Sequence, residues 1–257
     1  MAYEHLRVER DDRLTIITLD RADRLNAINP ALNWELHAAL DAFAADDDQW
    51  VAILTGAGTR AFSAGHDLKS HEAGAPLPPS GFGGNTSRFD LDKPLIAAVN
   101  GLAMGGGFEI ALACDIILAA PDAVFALPEP QVGLAALAGG LQRLPRSIGH
   151  HRAMAAILTS RRITAEEGRE MGLVHDVIAP ERLLDAAREL GRAICASAPL
   201  SIRASKAAAL ASFDGPLEAQ LAGQSARPRV AAMLASQDAV EGPRAFAEKR
   251  RPDWKGR

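Results

Sequence analysis

The stretch Asn100-Gly-Leu-Ala-Met-Gly-Gly-Gly-Phe-Glu-Ile-Ala-Leu-Ala-Cys-Asp115 decides how this chain is read. Residues 95–100 lead into it with the length and composition of a strand. Gly105, Gly106 and Gly107 then open an apolar helix. Bare N–H groups at the positive end of a helix suit a developing oxyanion. A dinucleotide site fits poorly, because it needs G-x-G-x-x-G near the start of a βαβ unit and these glycines are contiguous. Glu109 lies one turn into the helix among Phe108, Ile110, Ala111, Leu112 and Ala113. A carboxyl in that company is paired, protonated or functional. The plainer alternative is a first-turn Glu favoured by the helix dipole.

Two further segments flank this one in the chain. Upstream, Ala61-Phe-Ser-Ala-Gly-His-Asp-Leu68 follows a strand and the turn Thr55-Gly56-Ala57-Gly58. Its small residues at 63–65 let a ligand approach the backbone and offer the Ala64 N–H as a donor. A tight turn after a strand is the bland alternative. A serine nucleophile is excluded, since the elbow needs G-x-S-x-G and Ala61 stands two before Ser63. Downstream, Val124-Phe-Ala-Leu-Pro-Glu-Pro130 ends a strand with Glu129 between two prolines. The prolines restrict the backbone and fix the carboxyl with little entropy, although an exposed loop acid reads the same way. Taken together, two backbone donors and two carboxyls, without a nucleophile or a metal cluster, suit proton transfer next to a carbonyl.

Short apolar runs at 14–19, 51–55, 95–100, 116–119 and 124–127 read as strands. Between the first two, Asn29 and Pro30 open a helix with Leu32, Leu36, Leu40 and Phe43 on one stripe. Residues 70–90, rich in Gly and Pro, carry no periodicity, and a loop that long inside a domain is usually functional. It is expected to border an acyl group, with Phe82 on a flexible Gly81-Phe-Gly-Gly84 backbone. Beyond about residue 145 the pattern turns helical. Thr164 and Glu167 have capping-box spacing, and Pro180, Pro199 and Pro216 open further segments.

The whole chain has 257 residues, 48% hydrophobic and 23% charged, which suits a folded domain without disulfide staples. Lys and Arg total 28 against 32 Asp and Glu, a net charge of −4, so no nucleic-acid footprint is expected. The two cysteines, Cys114 and Cys195, form no C-x-x-C pair. The start lacks a basic-then-apolar leader, and the longest apolar stretch, 110–120, is broken by Asp115. A membrane span needs about 20 residues, so a cytoplasmic protein without membrane partners is expected.

Several motifs carry a resemblance over essentially the whole chain: LNAIN at 25–29, AFSAGHDL at 61–68, the glycine segment at 100–115, FALPE at 125–129, AGGLQRL at 138–144 and FAEKRRPDWKGR at 246–257. The sequence resembles the crotonase superfamily, also called the enoyl-CoA hydratase/isomerase family. GFGG at 81–84, DLDKP at 90–94 and the tail are most similar to its carnitinyl-CoA dehydratase branch. The resemblance implies an α/β fold, with a crotonase-like β-β-α spiral core over 1–198 and a helical C-terminal trimerisation region over 199–257. It implies homotrimers or dimers of trimers, and an acyl-CoA thioester as the small-molecule substrate with no separate cofactor and no metal. By the same likeness, the oxyanion hole matches Ala64 and Gly106, and the two acids match Glu109 and Glu129. Coenzyme A contacts match Arg24, Leu25, Ala27, His66, Asp67 and Leu68, while Phe246 and Lys249 of the last helix close over the cofactor portion, often from a neighbour. Where many hydratases carry a Pro-Gly turn, this chain has Leu134-Ala-Ala-Leu-Ala138, so Leu137 is expected to narrow the pocket and favour short acyl groups. His66 stands where Ala is common.

These readings converge on hydration of a trans-2-enoyl-CoA to a 3-hydroxyacyl-CoA, or its reverse. A carnitinyl-CoA dehydratase-like activity, a Δ3,Δ2-enoyl-CoA isomerase and a non-catalytic acyl-CoA binder are the alternatives.

Overall fold

The computed structural model describes residues 3–70 and 75–257. Its order is β1 (Leu6–Asp11), β2 (Leu14–Leu19), α1 (Pro30–Ala45), β3 (Val51–Gly56), β4 (Ala61–Ser63), β5 (Leu95–Val99), β6 (Leu102–Met104), α2 (Gly106–Leu112), β7 (Ile116–Ala119) and β8 (Val124–Ala126). There follow α3 (Gly140–Ile148), α4 (His150–Thr159), β9 (Ile163–Thr164), α5 (Ala165–Glu170), β10 (Asp176–Val177) and α6 (Leu183–Cys195). Four helices close the chain: α7 (Pro199–Ala211), α8 (Leu217–Gly223), α9 (Pro228–Leu234) and α10 (Gln237–Ala247).

One sheet runs β1-β2-β3-β5-β7-β10 and a second β4-β6-β8-β9. From β3 to β8 successive strands alternate between the two sheets, so the chain winds as a β-β-α spiral of the crotonase type. All pairings are parallel except β1 with β2 and β8 with β9. β2, β3 and β5 are buried at every position, as strands covered on both faces must be. Their alternation sends Ile17, Leu54 and Val99 toward α1 and the second sheet. Ile16, Ile53 and Ile96 face the opposite way, where α6 contributes Leu183 and Ala187. The Asn29 side chain accepts from Leu32 N at 2.8 Å and starts α1, whose stripe of Leu32, Leu36, Leu40 and Phe43 is buried. The capping box at α5 forms between Thr164 and Glu167.

Two expectations need correction. Of the 70–90 loop, residues 71–74 lie outside the described residues, but its second half is a buried plug and not a flexible wall. Gly83 and Gly84 take φ of 60° and 66°, and a Cβ on them would stand 2.3 Å from Ile110 Cδ1 and 2.4 Å from His37 N. These glycines serve close packing between α1 and α2. Gly83 N donates to Asn33 Oδ1 at 2.6 Å, and Asn85 Nδ2 donates to Ile110 O at 3.0 Å. The carboxyl end is also not helical throughout. Helix ends at Ala247, and the tail is then tied down: buried Asp238 accepts from Lys255 N (2.7 Å) and Gly256 N (2.9 Å), and Trp254 Nε1 donates to Ala196 O (2.8 Å). Among the described residues no helix is long and apolar enough to cross a membrane.

The junction of the sheets gives a stability prediction. A Cβ on Gly107 would meet Ser63 O at 2.2 Å, a backbone atom that cannot step aside, whereas Gly223 has nothing within 4 Å and a φ of −93°. Gly107→Ala is expected to cost about 2 kcal/mol or more. Gly223→Ala is expected to gain about 0.4–1 kcal/mol through the unfolded chain. Denaturant melts of the two variants check this, and equal effects would contradict the packing account.

Candidate active site

The site is built where β6 turns into α2. Gly105 takes φ 53° and ψ −124°, a conformation suited to glycine, and its N–H donates to Ala126 O at 2.9 Å. This bond fixes the turn to the end of β8. A Cβ on Gly105 would lie 2.9 Å from Glu129 Oε1, so the missing side chain is the space that the carboxyl uses. Gly106, Gly107 and Phe108 form the first turn of α2, where N–H groups have no acceptor within the helix.

Glu109, one turn in, is only 3% exposed and accepts from Gly140 N at 2.9 Å. Burial pushes its pKa up to about 7, with the Glu129 charge adding to the rise. The amides of Gly140 and Ala138 and the Arg143 guanidinium oppose it. Glu129 begins the 3-10 turn Glu129–Val132 directly after Pro128. Its Oε2 is buried and has no hydrogen-bond partner among the described residues, and burial raises its pKa as well. Burial lifts both carboxyls, and Glu109, which also feels the Glu129 charge, is poised at about 7 to exchange a proton near neutral pH. That is the condition for one to give a proton while the other takes one.

Ala64 does not occupy the role expected of it. Its N–H donates to Leu25 O at 2.9 Å and is spent on the backbone. Ile28 N donates to Gly65 O (2.7 Å) and Asp67 N to Ile28 O (3.0 Å), forming a parallel bridge between Ile28 and His66. In such a bridge the amide of the middle residue, His66, faces away from Ile28. Gly65, at φ 84°, backs onto the glycine turn, where a Cβ would meet Met104 O at 2.5 Å and Gly106 N at 3.0 Å. The sequence signal that identifies this amide is Gly65 itself, because its left-handed turn redirects the next peptide. The His66 ring stacks on Phe82 at 5.8 Å, and a Cβ on Gly106 would be 2.3 Å from Phe82 Cε1. Phe82 therefore walls the start of α2.

The remaining expected residues divide into two groups. Leu25, Ala27 and Asp67 cluster beside the Ile28–His66 bridge. Asp67 pairs with Arg21 at 3.0 Å, Arg21 also donates to Ala27 O, and the Arg21 hydrogen bond helps hold the Asp67 carboxyl below its usual range despite burial. Arg24 and Leu68 stand exposed at the edge of this cluster. Leu137, by contrast, is 80% exposed and does not narrow a pocket in the protomer. Residues 131–135 and 137 run along the surface, and only Ala136 of this run turns inward. Phe246, on α10, is 87% exposed, and Lys249 lies past that helix at φ 55°, so neither joins the two carboxyls within one chain. Sequence reading gives no role to Arg21, Gly140 or Arg143, and it reads Gly105 as a donor where the structure uses its missing side chain as space for Glu129, because these contacts join segments distant in the chain. Burial pushes Cys114 up to about 12 and Cys195 up to about 11, so neither thiol is a ready nucleophile. Among the described residues no group of acids, histidines or cysteines is arranged to hold a metal.

Comparison with known proteins finds matches along essentially the whole chain. A family model described as enoyl-CoA hydratase/isomerase matches residues 9–257. A carnitinyl-CoA dehydratase of Salmonella arizonae is 45% identical over 259 residues, covering 98% of this chain and 99% of that protein. A protein of the same name from Citrobacter koseri is 44% identical, with 99% of each chain covered. Among solved structures, an enoyl-CoA hydratase from Mycobacterium tuberculosis H37Rv matches with a TM-score of 0.93 at 41% identity, covering 98% of this chain and 99% of that one. An enoyl-CoA hydratase from Bacillus anthracis matches at 0.89 and 35% identity, covering 99% and 100%.

Burial of Glu109 carries a pH signature. Its folded pKa of about 7 exceeds the ordinary 4.5, so between those values the folded state keeps a proton that the unfolded state releases. Stability therefore falls as pH rises from 4.5 to 7, and the full cost, about 3 kcal/mol, is present above that window. Glu109→Gln keeps an acceptor for Gly140 N and cannot ionise. It is expected to exceed the parent in stability at pH 8.5 by an amount of that order. The gap should close toward pH 4.5. Melts across pH check this, and a gap that does not change with pH would contradict it.

Proposed function

The chain belongs to the enoyl-CoA hydratase/isomerase family, and on that footing we propose that it adds water reversibly to a trans-2-enoyl-CoA, giving a 3-hydroxyacyl-CoA. The observation that carries this reading is the buried Glu109 in the first turn of α2 with the half-buried Glu129, whose Oε2 is shielded from water, beside it. The thioester oxygen accepts from Gly106 N–H and from His66 N–H, which replaces Ala64 as the partner donor. One glutamate, as the carboxylate, takes a proton from water while the water oxygen bonds to C3. The other, as the acid, gives its proton to C2. Negative charge that passes onto the thioester oxygen returns as the C2–H bond forms, so atoms and charge balance. Donors aimed at such an oxyanion are each worth about 10²–10³ in rate.

Two carboxyls support hydration over isomerisation, for which one acid suffices. Their retention also speaks against a non-catalytic binder. Arg24, Leu25, Ala27, Asp67 and Leu68, at or beside the Ile28–His66 bridge, are the proposed coenzyme A edge, with no separate cofactor. The second reading is dehydration of carnitinyl-CoA, supported by relatives of that name at 44–45% identity along the full length. Exposed Leu210, Phe213, Leu217, Leu221 and Leu234 support assembly through the 199–257 region. In a trimer, Phe246 and Lys249 would then be free to reach a neighbour's coenzyme A.

Loss of enoyl thioester absorbance with crotonyl-CoA tests the chemistry. Glu109→Gln and Glu129→Gln should each lower turnover by about 10²-fold or more. Near-full hydration by either variant would defeat the two-carboxyl mechanism. With carnitinyl-CoA as the second substrate, a kcat/KM above that of the four-carbon hydroxyacyl thioester would favour the dehydratase reading. Light scattering should give a trimer or hexamer, and a monomer at micromolar concentration would contradict the assembly.

A further inference from the structure

We propose that Arg143, on α3, is a positioning residue for this hydration: its guanidinium fastens the acyl-side loop to the segment whose amide holds Glu109, and so keeps that carboxyl oriented and in the field of a fixed cation. The inference rests on the proposed function and deepens it.

Arg143 Nη2 donates to Thr86 O at 2.8 Å, and Nη1 donates to Ala138 O at 3.4 Å. The guanidinium also lies 5.9 Å from the centre of the Phe89 ring. Thr86 belongs to the buried loop that carries Phe82, and Thr86 Oγ1 donates to Phe82 O at 2.9 Å. One arm of the fork therefore holds the wall beside Gly106. The other arm reaches the turn before α3. There Gly139 has φ 101°, which favours glycine, and a Cβ on it would stand 2.0 Å from Arg143 Nη1, so a side chain at 139 would also displace the guanidinium. The next residue, Gly140, gives its N–H to Glu109 Oε1. A Cβ on Gly140 would stand 3.1 Å from that carboxyl, so the glycine pair borders the acid on one side and the arginine on the other.

The electrostatics agree. The Arg143 guanidinium is bonded to two carbonyls, burial lowers its pKa, and Glu109 is the largest opposing influence. A half-buried guanidinium bonded only to carbonyls is costly unless its charge serves a nearby anion. Glu109 is faced by Glu129 and Arg143, while Arg143 is faced by Glu109, Cys114 and Arg146. The other elements against α2, namely β4, β6 and the Phe82–Gly84 turn, carry no titratable side chain. Lysine cannot substitute, because a single ammonium has no planar fork to span two carbonyls on different segments.

Arg143→Met and Arg143→Lys separate charge from geometry. In Arg143→Met, kcat should fall by about tenfold or more, with a smaller change in KM. The limb of the kcat/KM profile that is absent in Glu109→Gln should move up by about half a pH unit or more. Arg143→Lys should keep that limb near its parental position while kcat stays low. Titration of the Glu109 carboxyl by carbon-13 NMR, assigned by its loss in Glu109→Gln, reads the same shift without turnover. If Arg143→Met lowers only thermal stability and leaves kcat, limb and carboxyl titration as in the parent, the proposal is overturned. Should that variant not fold, Arg143→Lys decides, since parental kcat there overturns it. If the parent hydrates no enoyl-CoA but the Glu109 titration still moves in Arg143→Met, the function reading fails while the contact between Arg143 and Glu109 stands.

Discussion

The close approach of backbone at Gly105, Gly106 and Gly107 is the constraint on which the rest of the site depends. At each of these positions the volume of a β-carbon is already taken: by the Glu129 carboxyl at 105, by the Phe82 ring at 106 and by the Ser63 carbonyl at 107. Three separate segments thus converge on one turn of chain. The two sheets meet through it, since β6 leads in, β4 ends against it and β8 is bonded to it by Gly105 N–H. A side chain at any of these positions would displace Glu129, Phe82 or the end of β4 from the turn.

Convergence also explains the electrostatics. Packing β4, β6, α3 and the Phe82–Gly84 turn around α2 removes water from Glu109, and that desolvation raises its pKa toward neutrality. A neighbouring carboxyl raises it further, while two amides and one guanidinium stop the rise before the group becomes permanently neutral. Glu109 is therefore poised near physiological pH by the same packing that gives the fold its core. Stability is lost in exchange, as is common where charge is held for chemistry.

Much of this was legible in the residues. Strand composition located β2, β3, β5, β7 and β8 within a residue or so, and the Asn29-Pro30 and Thr164–Glu167 caps fixed two helix starts. Glu109 was legible because a carboxyl inside Phe-Glu-Ile-Ala-Leu breaks an apolar pattern, and Glu129 because prolines flank it. β1 was missed because four of its six residues are exposed and it lies on the sheet edge. β9 and β10 were missed because two-residue strands have no periodicity. That the Ala64 N–H is taken up by Leu25 O is not legible in the residues, because the bond depends on a fold of the chain that composition does not display. Leu137 misled for a related reason: its neighbours in sequence lie near the acids, but its own side chain faces outward. The Arg143 fork links carbonyls 57 and 5 residues away, a relation that only tertiary structure makes visible.

The central claim is that one carboxyl delivers a proton to C2 while water oxygen, activated by the other, bonds to C3. Incubation of the protein with crotonyl-CoA in oxygen-18 water made with deuterium oxide, followed by mass spectrometry of the product thioester, tests it most directly. The account predicts a 3-hydroxybutyryl thioester carrying one oxygen-18 at C3 and one deuterium at C2. Deuterium exchange into recovered enoyl thioester without any oxygen-18 product would contradict it, because the carboxyls would then move protons without adding water.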